Sequence, residues 1–257
     1  MTTPDYTLVI AVDDRHLRQL SWTWPTWRKH KPSLMKHPML IIYDQAQVTP
    51  RRIKEVVDRD AMCCPWPPEG FEFAGGIDDK WNNPQRVKML TSFVYMPSVL
   101  VRTPYWLKID TDVVATGMDE WIDPGWFKGN PAIVAHPWTF TRPAGQMLDL
   151  DRWAEEYHLD FPAPPLNLVP NPGASRVGHK RITSWCSFFR TDFSGRCTSL
   201  ACRTTREKLP VPSQDGYTFY VAKRMGEGIV RTSMKVRGWQ QWSTDGNVEK
   251  YAKEALV

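Results

Sequence analysis

No stretch of the 257 residues approaches the run of about 20 apolar residues that a helix needs to cross a bilayer. The opening segment MTTPDYTLVIAVDD has no basic residue ahead of its apolar core, and that core is too short for a secretion signal. Both absences lead us to expect a soluble, cytoplasmic chain without a membrane span. Cysteine is sparse and unpatterned: residues 63, 64, 186, 197 and 202 form no CxxC pair, and no histidine stands at zinc-finger spacing from them. Buried free thiols are expected instead of a disulfide framework or a structural zinc site. Charge is nearly balanced, with 33 Lys and Arg against 28 Asp and Glu. The densest basic patches, WRKHK at 27–31 and Arg51–Arg52, are too short for a nucleic-acid tail and read as solvated helix faces. The mild positive balance suits an anionic small molecule. Internal repeats and a clear domain boundary are also lacking.

What the chain does have is 13 Trp and 22 Pro, so it needs aromatic surfaces and many stiff loops. At 42% hydrophobic and 24% charged residues it matches an ordinary globular enzyme and not a disordered chain. YTLVIAV at 6–12 is a continuous β-branched run, as a strand buried on both faces should be. Residues 15–30 read as a helix with Leu17, Leu20 and Trp24 on one face, which Pro25 is expected to kink or break. MLIIYD (39–44) is a second strand, Thr49 and Pro50 open a helix through Val57, and AMCCPW (61–66) is a short third strand. A loop with Gly75–Gly76 and Asn82–Asn83 leads to a helix at about 84–97, followed by the strand YWLKID.

Later strands are expected at 132–138, 182–189 and 229–234, with helices at 147–158, from 190 to about 203, at 213–226 and at the C-terminus. The proline-dense stretch 161–173 cannot be regular and reads as a stiff loop or lid. Strands alternating with helices predict a mainly parallel sheet covered by helices on both faces. Ligands of such sheets bind beyond the carboxyl ends of the strands. Asp13, Asp44 and the pair Asp110/Asp112 all fall at such ends, so acidic residues converge on one edge.

YWLKIDTDVV is where the chemistry concentrates. Asp-x-Asp also occurs at 58–60 and 149–151, but in helix-like polar surroundings where solvated carboxylates suffice. Only Asp110-Thr111-Asp112 follows a buried strand. Two adjacent carboxylates repel, and a divalent cation between them relieves that repulsion. Mg²⁺ and Mn²⁺ take hard oxygen ligands and commonly bind through one or two carboxylates plus substrate phosphates. The bland alternative makes one Asp a turn cap and leaves the other in water.

A strand–Asp-x-Asp element about 110 residues into an α/β chain resembles the DxD motif of glycosyltransferases with the GT-A fold. The order of parts is similar along most of the chain: a first strand at 6–13, Asp44 ending the second strand, the basic QRVKML before the DxD, and the block SQDGYTFYVAKRMGEGIV. The resemblance implies one catalytic domain, with a Rossmann-like nucleotide-sugar half over about 1–115 and an acceptor half over about 116–257. It also implies transfer from a nucleotide-sugar donor, with UDP as the family-level nucleotide, to a glycan or other acceptor hydroxyl. Mn²⁺ or Mg²⁺ on Asp110 and Asp112 would assist an inverting reaction in which Asp215 stands where the base would be. Val12, Asp13, Asp44, Arg86, Lys88 and Thr111 fall at donor-binding positions. Trp138 and Trp185 fall in the acceptor region, where aromatic faces pack on sugar C–H surfaces. Two departures stand out. Gln214 precedes Asp215 where an acidic residue is commoner, and a Gln-Asp pair occurs in some retaining members too. The last histidine is His179, so Asp245, Ser243 or water would replace a C-terminal histidine ligand.

The main rival is a haloacid-dehalogenase-like phosphatase, whose Asp-x-Asp nucleophile element DTDVV also fits. That element belongs on a first strand with a later Gly-Asp acidic motif, and neither condition is met. A pyrophosphorylase would need a glycine-rich loop after the first strand, where AVDDRHLRQ has no Gly. A Trp-rich sugar-binding module leaves the α/β order and the DTD unexplained.

Overall fold

The computed structural model describes residues 2–66, 90–143, 145–166, 176–203, 214–232, 234, 236–237 and 245–257. Within these, only the backbone is described for 138–143, 145–149, 176–184, 202–203 and 237. In chain order the elements are β1 (Tyr6–Val12), α1 (Asp14–His30), β2 (Met39–Asp44), α2 (Pro50–Val57), β3 (Met62–Trp66), α3 (Met96–Leu100), β4 (Tyr105–Ile109), β5 (Val114–Ala115), β6 (Ile133–Pro143), α4 (Gly145–Glu156), β7 (Arg176–Arg190), α5 (Thr191–Arg203), α6 (Gln214–Arg224), β8 (Ile229–Arg231), β9 (Val236–Arg237) and α7 (Asp245–Leu256).

Among the described residues seven strands form one sheet in the order β3-β2-β1-β4-β7-β6-β8, and β5 pairs with β9 in a small second sheet. The first four strands are mutually parallel, β7 is antiparallel to both β4 and β6, and β8 is parallel to β6. Six strands therefore point one way and β7 alone is reversed, so the sheet is mainly parallel as the alternation predicts.

Period-two alternation divides β1 and β4 between two cores. Leu8, Ile10 and Val12 of β1 join Leu107 and Ile109 of β4 on the face covered by α1 and α2. Val9 and Trp106 face the opposite core, beneath residues of α4, α5 and α6. Both faces are thus helix-covered, which is why these strands read as continuous apolar runs.

Helix α1 runs unbroken through Pro25, against the expected kink or break. Tertiary packing overrides the local signal. Trp24 and Trp27 on either side are fully buried and donate their indole N–H groups to the carbonyls of Val57 (3.0 Å) and Val113 (2.9 Å). Fully burying a large apolar side chain contributes about 1.5–3 kcal/mol, enough for two tryptophans to offset one proline of about 3 kcal/mol. Asp13 caps the first turn by accepting from the His16 amide at 2.9 Å, and Thr49 caps α2, with Pro50 in its first turn.

The helix expected at 84–97 lies outside the described residues in its first part. From Thr91 to Tyr95 the chain winds as a π turn that runs directly into α3. β6 and β7 are longer than expected, and α7 starts at Asp245 instead of 248. Gly226 ends the α6 segment at φ +69°, the left-handed conformation that glycine adopts freely. Among the described cysteines, Cys63, Cys64, Cys186 and Cys197 are all free thiols. No helix among the described residues is long and apolar enough to cross a membrane.

Candidate active site

β4 ends at Ile109, and the chain turns at once. The Asp110 amide donates to the Trp185 carbonyl of β7 at 2.8 Å, and the Val113 amide returns to the Asp110 carbonyl at 3.1 Å. This tight turn displays Asp110 and Asp112 at the carboxyl edge of the central strands. β1 ends beside it at Val12, just before Asp13, and β2 one strand further at Asp44.

Side chains of α1 grip the turn from behind. Thr111 Oγ1 donates to Gln19 Oε1 (2.8 Å), Thr23 Oγ1 donates to the Thr111 carbonyl (2.8 Å), and the Ala115 amide donates to Thr26 Oγ1 (3.0 Å). With Trp27 on the Val113 carbonyl, residues 19, 23, 26 and 27 form one face of the helix, spaced as neighbours on an α-helix must be. Thr111 is 3% exposed, and its hydroxyl is turned to α1.

The opposite side of the turn is charged. Lys108 shares a strand face with Trp106 and Asp110, and it is buried in an otherwise apolar strand. Its ammonium lies 2.8 Å from Asp110 Oδ1 and 4.5 Å from the centre of the Phe93 ring, which the π turn supplies. Desolvation in the cleft still outweighs Lys108 and pushes the Asp110 carboxyl above the ordinary range, with the negative charge of Asp215 adding to the rise. Asp112 is pushed up to about 7, first by desolvation and then by the charge of Asp110. His16 opposes both rises, so it stands close to the pair. Its ring Nδ1 lies 2.6 Å from Asp13 Oδ1.

Asp215 is in the first turn of α6, near enough for its charge to act on Asp110. The structure thus sets Asp110 and Asp112 in one turn, with the charge of Asp215 reaching Asp110. Asp44 accepts from the Ala46 amide (3.1 Å) and Gln47 Nε2 (2.9 Å), and so organises the turn after β2. Val12 is fully buried, leaving only its backbone for a ligand. Trp185 is half-buried beside the DTD, its ring 5.4 Å from that of His136. Trp138 lies opposite Arg181 on the stretch of β6 and β7 that outruns β4, and its side chain is outside the described residues. Arg86, Lys88, His179 and Ser243 are likewise outside the described residues or side chains.

Asp245 does not stand free to ligate an ion. It accepts from Gln19 Nε2 (2.8 Å) and from Arg15 Nη2 (2.8 Å) and Nε (3.1 Å). Among the described residues no group of three or more His, Cys, Asp or Glu is placed to hold a metal. Two carboxylates whose anionic forms are disfavoured still fit a hard divalent cation, provided a diphosphate and water complete its shell.

Lys108, His16 and Gln19 escaped the reading of the sequence. A lysine inside an apolar strand, two residues before an aspartate and so on its face, was the available signal for the first. A histidine three residues after a helix-capping aspartate was the signal for the second. Gln19 sits between Leu17 and Leu20 with no pattern to mark it.

No family model and no curated protein matches this sequence. Solved structures do. Core-mannan synthase A (CmsA/Ktr4) from Aspergillus fumigatus, in an Mn/GDP form, superposes with a TM-score of 0.54 at 11% identity, covering 88% of this chain and 72% of that one. Galactosyltransferase LgtC in complex with donor and acceptor sugar analogs gives 0.53 at 9% identity, covering 98% and 96%. The mannosyltransferase Ktr4p from S. cerevisiae gives 0.54 at 11%, and the match covers 84% of this chain but only 62% of the yeast one. At such identities the likeness is one of architecture, and the architecture is that of the GT-A glycosyltransferases.

Proposed function

We propose that this chain is one catalytic domain that transfers a sugar from a nucleoside-diphosphate donor to an acceptor hydroxyl. One observation carries the reading: a turn at the carboxyl edge of a GT-A sheet holds two carboxylates, Asp110 and Asp112, whose charged forms burial disfavours, and the charge of a third, Asp215, bears on Asp110. In this reading Asp112, with the ion-pairable Asp110 as its neighbour, holds Mn²⁺ or Mg²⁺. Such an ion, when bound, neutralises charge on a departing diphosphate.

The protein's own residues do the rest. Lys108 keeps Asp110 fixed, so the two carboxylates have unequal roles and Asp112 is the principal ligand. Asp13, directly after β1, lies on the same sheet edge, where a nucleoside can be held. Asp215 accepts the proton of the attacking hydroxyl, giving inversion at the sugar carbon. Trp185 offers an aromatic face to the acceptor, with Trp138 further along the same strands. Arg86 and Lys88 are proposed diphosphate contacts. The resemblance of the sequence favours UDP, and the Mn/GDP form of the Aspergillus enzyme makes GDP the first competitor. The phosphatase reading gains no support from the fold.

The test is calorimetric titration of UDP, GDP, CDP, ADP and TDP with and without Mn²⁺, followed by transfer assays with the donor so identified. Metal-dependent binding of one diphosphate, lost in Asp112→Asn, is the expected result. Binding that Asp112→Asn leaves unchanged removes the metal site, and full transfer activity in Asp215→Ala removes the base.

A further inference from the structure

The four-membered chain Thr111–Gln19–Asp245–Arg15 joins the DTD turn to the first turn of α7 through α1, with Gln19 bonded to partners 92 residues away (Thr111) and 226 residues away (Asp245). Its chemistry is directional. A carboxylate only accepts, so Asp245 fixes the Gln19 amide with its NH₂ outward, and Oε1 must face the Thr111 hydroxyl. Gln19 and Thr111 are both 3% exposed, where an unmet polar group is costly, so the arrangement has one low-energy state. Arg15 closes the outer end with a two-nitrogen grip on Asp245. Thr111 is the residue between the two proposed metal ligands, so whatever sets Thr111 sets the separation and aim of both.

We propose that Gln19 is a positioning residue that locks the DTD turn to helix α7 through Asp245, so that docking of the C-terminal helix sets the affinity of the turn for a divalent cation. This goes beyond the proposed transferase function but rests on it where the cation is concerned. It also gives Asp245 a supporting role through its hydrogen-bond acceptor, in place of the ligand role that a C-terminal acidic residue invites.

The experiment uses the full chain and the variants Gln19→Leu, Asp245→Ala and Asp245→Asn. Two readouts are taken: amide hydrogen exchange of Val113, whose N–H closes the turn on Asp110, without any ligand; and Mn²⁺ affinity by electron paramagnetic resonance with whichever nucleoside diphosphate the parent binds. Gln19→Leu and Asp245→Ala are expected to speed Val113 exchange by about tenfold and to weaken Mn²⁺ by about 10- to 100-fold, as loss of outer-shell support does. Asp245→Asn keeps an oxygen for Gln19 and stays within about twofold of the parent, a pattern no direct ligand produces. Unchanged Val113 exchange in Gln19→Leu overturns the proposal, as does an Asn variant as impaired as the Ala variant. If Gln19→Leu does not fold, the more exposed Asp245→Ala decides in its place. A parent chain that binds no Mn²⁺ with any diphosphate defeats the transferase reading, while Val113 exchange still decides whether Gln19 locks the turn.

Discussion

Lys108 is the residue whose placement asks most of the fold. A buried ammonium is tolerated only with an anionic partner, and it has Asp110 at 2.8 Å and the Phe93 ring below it. Lys108→Met should leave Asp110 without its counter-charge. The variant is expected to lose about 1–2 kcal/mol of stability near pH 8, a value already discounted for the solvent that reaches Asp110. Near pH 5 most of that loss should vanish, because Asp110 can take a proton instead. Urea unfolding at the two pH values checks this, and equal losses at both would show that Lys108 serves packing alone. The same residue shows where the sequence was hard to read: the DTD is legible as two carboxylates after a strand, whereas Lys108 is spelled inside a run that otherwise reads as hydrophobic core.

At the level of elements, the first four strands of the large sheet were legible as apolar runs, and their alternation with helices implied that they would be parallel, as they are. The reversed β7 was not legible, because an apolar strand carries no mark of its direction; only its pairing with β4 and β6 gives one. Helix α1 shows the reverse failure, a strong local signal that lost. Pro25 lies inside a helix whose flanking residues Thr23, Trp24, Thr26 and Trp27 are all anchored elsewhere. Pro25→Ala restores an N–H for the helix without disturbing those anchors. It is expected to raise stability by about 1–2 kcal/mol, less than the full helix penalty because proline also stiffens the unfolded chain. Thermal unfolding that falls instead would mean that Pro25 shapes the face presented to the turn. The candidate base was legible only through resemblance, since an aspartate in the first turn of a helix is also what the helix dipole favours.

For the whole molecule, the raised carboxyls make stability a function of pH and of cation. Between the ordinary carboxylate range near pH 4 and about pH 7, the unfolded chain has released the proton that folded Asp112 still keeps, and the raised Asp110 carboxyl acts in the same direction. The native state then binds more protons than the unfolded one, so this pair's contribution falls as pH rises through that window. With chelator present, Tm should therefore fall from about pH 5 to about pH 7.5, and Mn²⁺ should restore it most at the upper end. Asp112→Asn should flatten both responses in a scanning calorimeter. The partners that hold the turn also lie far apart along the chain: Thr23 meets Thr111 over 88 residues, and Gln19 meets Asp245 over 226. Loops of that size close slowly, so the DTD turn belongs among the last parts of the molecule to form during folding. A nascent chain that stops short of β4 can pair β1 with β2 and seat Trp24 on α2, but it lacks the turn that Thr23, Thr26 and Trp27 grip, and cation capture can therefore serve as a clock for that later step of refolding.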